Sequence, residues 1–148
     1  MSLKNRIQED VKQAMRARDK ARLAALRLIT ASIKQKEVDD RAELDDGGVL
    51  GVLDKMAKQR RESLGQFLDA GREDLARQEQ FELDLLAEYM PEPLGESQLT
   101  ALIDQAIEAT GASTIRDMGQ VMQNLRGQVQ GRADMKAVSD AVKAKLNA

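Results

Sequence analysis

The sequence predicts an all-α protein: a helical N-terminal domain of about four helices over residues 1–92, then a three-helix tail domain over residues 93–148. Three observations carry this. Apolar residues recur at three- and four-residue steps along most of the chain, and β-branched residues nowhere form an alternating run. The two prolines, Pro91 and Pro93, stand in one short stretch, where each disfavours helix in the residue before it. Aromatics are only 2% of the chain, so the core is left to Leu, Ile, Val, Met and Ala, which pack well between helices.

The first helix is expected over residues 3–18, with Leu3, Ile7, Val11, Ala14 and Met15 on one face. Asp19 can cap the second, because its carboxylate can accept from first-turn amides. That helix, over 20–38, is apolar around most of its circumference (Leu23, Ala24, Ala25, Leu26, Leu28, Ile29, Ala31, Ile33) and should be covered on several sides. After an acidic loop and Gly47-Gly48, a third helix is expected over 49–70, closed by Gly71 in the left-handed conformation. The fourth spans 73–90. In the tail domain the helices are expected over 96–109, over 114–129 with Ser113 as cap and Ile115 turned inward, and after Asp134. Gly119 most simply allows close helix approach.

Composition narrows the function. There is no histidine and no cysteine, so an imidazole base, a thiol nucleophile and the usual zinc ligand sets are all missing. No phosphate-binding glycine loop of either common type appears, and no cofactor is implied. The start of the chain lacks an apolar leader segment, and no apolar run reaches the ~20 residues of a membrane span. A cytoplasmic protein with no membrane partner is the expectation.

The net charge of −2 conceals segregation: +7 over residues 1–36, −12 over 37–108 and +3 over 113–148. Basic ends could meet nucleic-acid phosphate, or basic and acidic helices could simply be neighbours. Lys20, Arg27 and Lys34 fall at seven-residue steps, along one line of a helix that could follow a phosphate backbone or lie beside the acidic fourth helix. Arg126, Arg132 and Lys136 surround the turn Gly131-Arg132-Ala133-Asp134, where a helix N-terminus plus cations would suit an anion, unless Asp134 already caps it. Glu79 and Glu82 sit at i and i+3 inside an apolar face, and Arg27 and Arg60 fall on apolar stripes. An acid–base pair is one reading of the carboxylates. A partly buried network of Arg27, Arg60, Glu79 and Glu82 is the simpler one, since buried charge is tolerated when paired.

Several segments taken together resemble a known family. Arg22-Leu23 with Leu26-Arg27, Lys58-Gln59-Arg60-Arg61-Glu62-Ser63, Ala70-Gly71-Arg72-Glu73-Asp74-Leu75, Glu88-Tyr89-Met90-Pro91, Asp117-Met118-Gly119-Gln120-Val121-Met122 and Gly131-Arg132-Ala133-Asp134 are similar to the stand-alone YqeY-type proteins, over essentially the whole chain. The last 50 to 60 residues also resemble the tail domain of the B subunit of the tRNA-dependent amidotransferase. In that enzyme the tail helps hold tRNA, while glutamine-derived ammonia is used in other domains of which this chain shows no trace. The resemblance therefore implies the label of a glutamine-dependent carbon–nitrogen ligase without its catalytic parts. One departure is Gly95, where the family pattern favours Ser or Thr as helix cap.

The expected function is a tRNA-binding or amidotransferase-associated accessory module, possessing no catalytic residues of its own. Its candidate contacts are Arg126, Arg132, Lys136, Lys20 and Lys34. Candidate partners are tRNA and an amidotransferase or aminoacyl-tRNA synthetase complex. The alternative is a protein-interaction adaptor that uses the acidic middle region.

Overall fold

The computed structural model describes residues 1–147 and is all-α, with no strand among the described residues. The chain divides into two compact units, Met1–Met90 and Pro91–Ala148. The first holds α1 (Leu3–Arg16), α2 (Lys20–Asp40), α3 (Asp46–Asp69) and α4 (Glu73–Ala87). The second holds α5 (Glu96–Thr110), a 3₁₀ turn (Ile115–Asp117), α6 (Met118–Val129) and α7 (Met135–Leu146).

Short polar side chains set the helix starts by accepting from amides that have no intrahelical partner. Ser2 accepts from the Asn5 amide, Asp19 from that of Arg22 at 3.2 Å, and Asp45 from that of Gly48 at 2.8 Å. The last of these pulls α3 back to Asp46, three residues before the expected start. Helix ends close by reverse bonds around a left-handed residue. At Gly71 (φ +71) the Arg72 amide donates to the Phe67 carbonyl at 2.9 Å. Arg18 (φ +57) and Arg41 (φ +53) make the same bend without glycine's freedom.

The core of the first unit is built from Ile7, Leu26, Ile29, Ile33, Val49, Leu53, Leu86 and Tyr89. Here α2 departs from expectation. Its buried residues, Ala25, Leu26, Ile29 and Ile33, occupy one stripe, while Ala24, Leu28 and Ala31 are exposed. Apolar composition around a helix does not summon a neighbour to every side, and within its own unit α2 has α1, α3 and α4 to pack against. Met15, expected inside, is half exposed for the same reason. α4 also ends sooner, at Ala87, and a turn carries the chain through Tyr89.

In the second unit Ile103, Val121, Leu125, Val129, Val138 and Val142 form the core. The expected cap Ser113 is displaced by Thr114, because Asp117 accepts from both the Ser113 amide (2.9 Å) and the Thr114 amide (3.2 Å) and tightens the entry into a 3₁₀ turn. That turn leaves Ile115 41% exposed rather than inward. Gly119 faces open space, so no helix approaches it closely.

Candidate nucleic-acid interface

Charged side chains that looked alike in sequence have three different fates. The first is sequestration. Arg60 on α3 lies between two carboxylates of α4, its Nε 2.6 Å from Glu82 Oε2 and 3.6 Å from Glu79 Oε2. The three side chains are only 12–23% exposed. Neither Arg60 Nε nor Glu79 Oε2 has a well-aimed hydrogen bond, so attraction here is chiefly coulombic. Burial holds the Glu79 carboxyl above the usual range; Arg60 opposes the shift and the neighbouring Glu82 adds to it. The void beside Arg60 and Glu82 is about 10 Å³, room for one water at most, so the carboxylate pair has no space for a substrate.

The second fate is exposure. Lys20, Arg27 and Lys34 are all exposed on α2 and form no salt bridge among the described residues, although Lys34 stands near enough to Glu37 to help lower its carboxyl pKa. Arg27 was expected in the network with Arg60, Glu79 and Glu82, and the structure corrects this. At 100° per residue it points away from the stripe Ala25–Ile29–Ile33 that faces α3 and α4. Its carbonyl accepts from Thr30 Oγ1, and its side chain is left to solvent. Seven-residue steps of an α-helix are about 10 Å each, so the three cations mark a line roughly 20 Å long. Arg16 and Arg18, at the α1–α2 corner, are exposed as well.

The third fate is structural use. Arg132 was expected to be a free cation beside the last helix. Instead it is half-buried, its Nε donates to the Glu92 carbonyl at 3.0 Å, and its own carbonyl accepts from the Leu94 amide at 2.8 Å. Gly131, at φ +76 and buried, makes the bend that brings Arg132 to this segment. The turn thus fastens residues 92–94 to the tail unit. Asp134 caps α7, accepting from the Lys136 amide at 3.4 Å, so a carboxylate already occupies the place proposed for an outside anion. Arg126 and Lys136 remain exposed and without a salt bridge among the described residues.

A further cluster had not been anticipated. The Tyr89 hydroxyl donates to Asp10 at 2.5 Å, and Arg6 lies 4.9 Å above the ring while donating to the Glu88 carbonyl. Arg22 holds the Glu88 carboxylate with both terminal guanidinium nitrogens, at 2.9 and 3.4 Å. Burial, with Asp10 accepting from the neutral phenol, pushes the Tyr89 pKa upward. Glu88-Tyr89 is thus a clamp tying the end of α4 to α1 and α2. The signal was available: the only tyrosine of a chain nearly free of aromatics, placed in an apolar stripe, requires a partner for its hydroxyl.

A family model described as Yqey-like protein matches residues 4–146. Among curated proteins the chain is similar to "Altered inheritance of mitochondria protein 41, mitochondrial" of several fungi. The Pyrenophora tritici-repentis protein is 32% identical over 97% of this chain and 80% of its own length. Its Eremothecium gossypii counterpart is 40% identical over 57% of this chain, but that match spans 46% of the relative. The one from Saccharomyces cerevisiae is 33% identical over 67% of this chain and 53% of its own length. These names overturn the cytoplasmic placement expected from the sequence, since they point to mitochondria. No helix of the described residues is long and apolar enough to cross a membrane.

Proposed function

Starting from the premise that the chain belongs to the Yqey-like protein family, we propose that it is an accessory module that binds RNA of the tRNA class through exposed cations and contributes no catalytic step itself. The observation that carries this reading is the line Lys20–Arg27–Lys34: three exposed cations in register on one helix, none of them in a salt bridge among the described residues. Unpaired cations at a regular spacing cost the fold self-repulsion, and phosphate is the ligand that relieves it with release of counterions. Arg126 and Lys136 supply a second, smaller contact on the tail unit. Arg132 serves that contact only by shaping the turn. Similarity to the amidotransferase tail supports tRNA as the RNA, and an amidotransferase or aminoacyl-tRNA synthetase complex as the assembly it would serve.

Binding to unfractionated tRNA, measured against salt concentration, tests the proposal. Wild-type affinity should fall steeply with salt. Replacing Lys20, Arg27 and Lys34 by glutamate should lower the slope by roughly three, about one for each phosphate left without its cation, while Arg126→Glu with Lys136→Glu should lower it by less. Failure of the wild-type protein to bind tRNA at low salt would defeat this reading. The adaptor would then stand in front, favoured by Asp39, Asp40, Glu43, Asp45 and Asp46, which are all exposed along the α2–α3 connection.

A further inference from the structure

The distal half of the α3–α4 hairpin is built differently from the rest of the first unit. Its core draws on α3 only as far as Ala57 and on α4 only from Leu83 onward. Beyond those points the two helices pack on each other without a third layer. A two-helix hairpin cannot bury an apolar stripe on both sides, and this one does not. Leu68 is 59% exposed and Phe81 39% exposed, and Leu64, Leu68 and Ala76 line an open groove of about 320 Å³ between the helices.

Two features identify what the groove takes. Gly65 lies on α3, about one turn before Leu68, and a methyl group built on it would meet open space. A glycine there weakens the helix and serves no packing inside the unit; what it offers is bare backbone for a close approach from outside. The groove is also rimmed by Glu73 and Arg77, one turn apart on α4, both strongly exposed and 3.7 Å from each other. Opposite charges at i and i+4 on one helix are self-complementary. When two copies of that helix cross antiparallel about a two-fold axis, Glu73 of each meets Arg77 of the other.

We propose that this half of the hairpin is a self-association surface, occupied by the same hairpin of a second copy in antiparallel two-fold arrangement, with Leu68 of each copy seated in the groove of the other beside Gly65. The inference is independent of tRNA binding, whose cations lie on α2 and on the tail unit.

Sedimentation equilibrium of the full chain over a wide concentration range provides the test, with helix content followed by circular dichroism to show that each variant is folded. Wild type should form a dimer. Leu68→Glu should weaken association by about a thousandfold, because the two-fold arrangement loses two buried leucines, each worth about thirtyfold. Arg77→Glu alone and Glu73→Arg alone should each dissociate more readily than wild type, because like charges then face each other across the axis. Mixing those two variants should restore the dimer as a one-to-one heterodimer. A protein that stays monomeric at all concentrations would overturn the proposal. So would a dimer that is indifferent to Leu68→Glu, or paired variants that fail to rescue each other.

Discussion

Arg60 and Arg27 occupy the same kind of place in sequence, a cation on the apolar stripe of a long helix, and the structure treats them oppositely. Arg60 faces α4 and is held between Glu79 and Glu82 with most of its surface covered. Arg27 faces solvent, in line with Lys20 and Lys34. The difference lies in what stands opposite. α3 and α4 are antiparallel partners in a hairpin, so a cation on their seam meets the carboxylates that the acidic fourth helix brings. α2 gives one stripe to the bundle and keeps the other for water. A charge within a helical stripe is therefore a candidate contact only where no neighbouring helix supplies its partner.

The largest expected effect breaks the sequestered side. Arg60→Met should leave two largely covered carboxylates side by side and destabilise the fold by about 2–4 kcal/mol, read from urea unfolding. Adding Glu79→Gln and Glu82→Gln should recover most of that loss. A cost below about 1 kcal/mol would mean that the seam is as well hydrated as the face of α2.

The Tyr89 clamp is intermediate, an ion-assisted contact at the rim of the core. Tyr89→Phe removes the bond to Asp10 while keeping the ring under Arg6, and should cost about 1–2 kcal/mol by the same measurement.

Titration sharpens the contrast between two carboxylates. The Glu79 pKa is raised by burial, so the folded state binds its proton more tightly than the unfolded chain does. Its contribution is present below the ordinary carboxylate range and is lost as pH rises through the elevated value. The pKa of Glu37 is lowered by hydrogen bonds from Lys4 and from the Leu44 amide. Its contribution is present above the ordinary range and disappears as pH falls through the depressed value. Unfolding experiments from pH 3 to 7 should show Glu79→Gln removing a decline with rising pH, and Glu37→Gln removing a rise. Identical profiles for the two variants would contradict the assignments.

The smallest effect belongs to the exposed line. Replacing Lys20, Arg27 or Lys34 by alanine should change stability by no more than about 0.5 kcal/mol each, because alanine is a good helix former and no salt bridge is abandoned. A loss greater than about 1 kcal/mol at Arg27 would return it to a structural role.

Local rules were enough for much of the fold. Helix number, the capping roles of Asp19 and Asp134 and the left-handed Gly71 depend on spacing and on backbone preferences within a few residues. Candidate sites were legible only in part. The sequence contained all the cations but did not distinguish Arg132, engaged with the Glu92 carbonyl forty residues away, from Arg126 and Lys136. The cap of the turn before α6 was misjudged by one residue because Asp117, three positions on, chose Thr114.

By itself the sequence determined that this protein is helical, that its chemistry excludes thiol and imidazole, and that its charges are segregated along the chain. Those properties follow from composition and from periodicities of three to four residues, which need no knowledge of a distant neighbour. Only the tertiary structure decided which charges are used up in holding the fold together and which stay exposed. It also decided that α2 keeps a bare face and that the α3–α4 hairpin extends past its cover. The physical reason is the same in each case. The free energy of a charge or an apolar stripe depends on what lies within a few ångströms, and the sequence orders residues along the chain without fixing which helices will lie side by side.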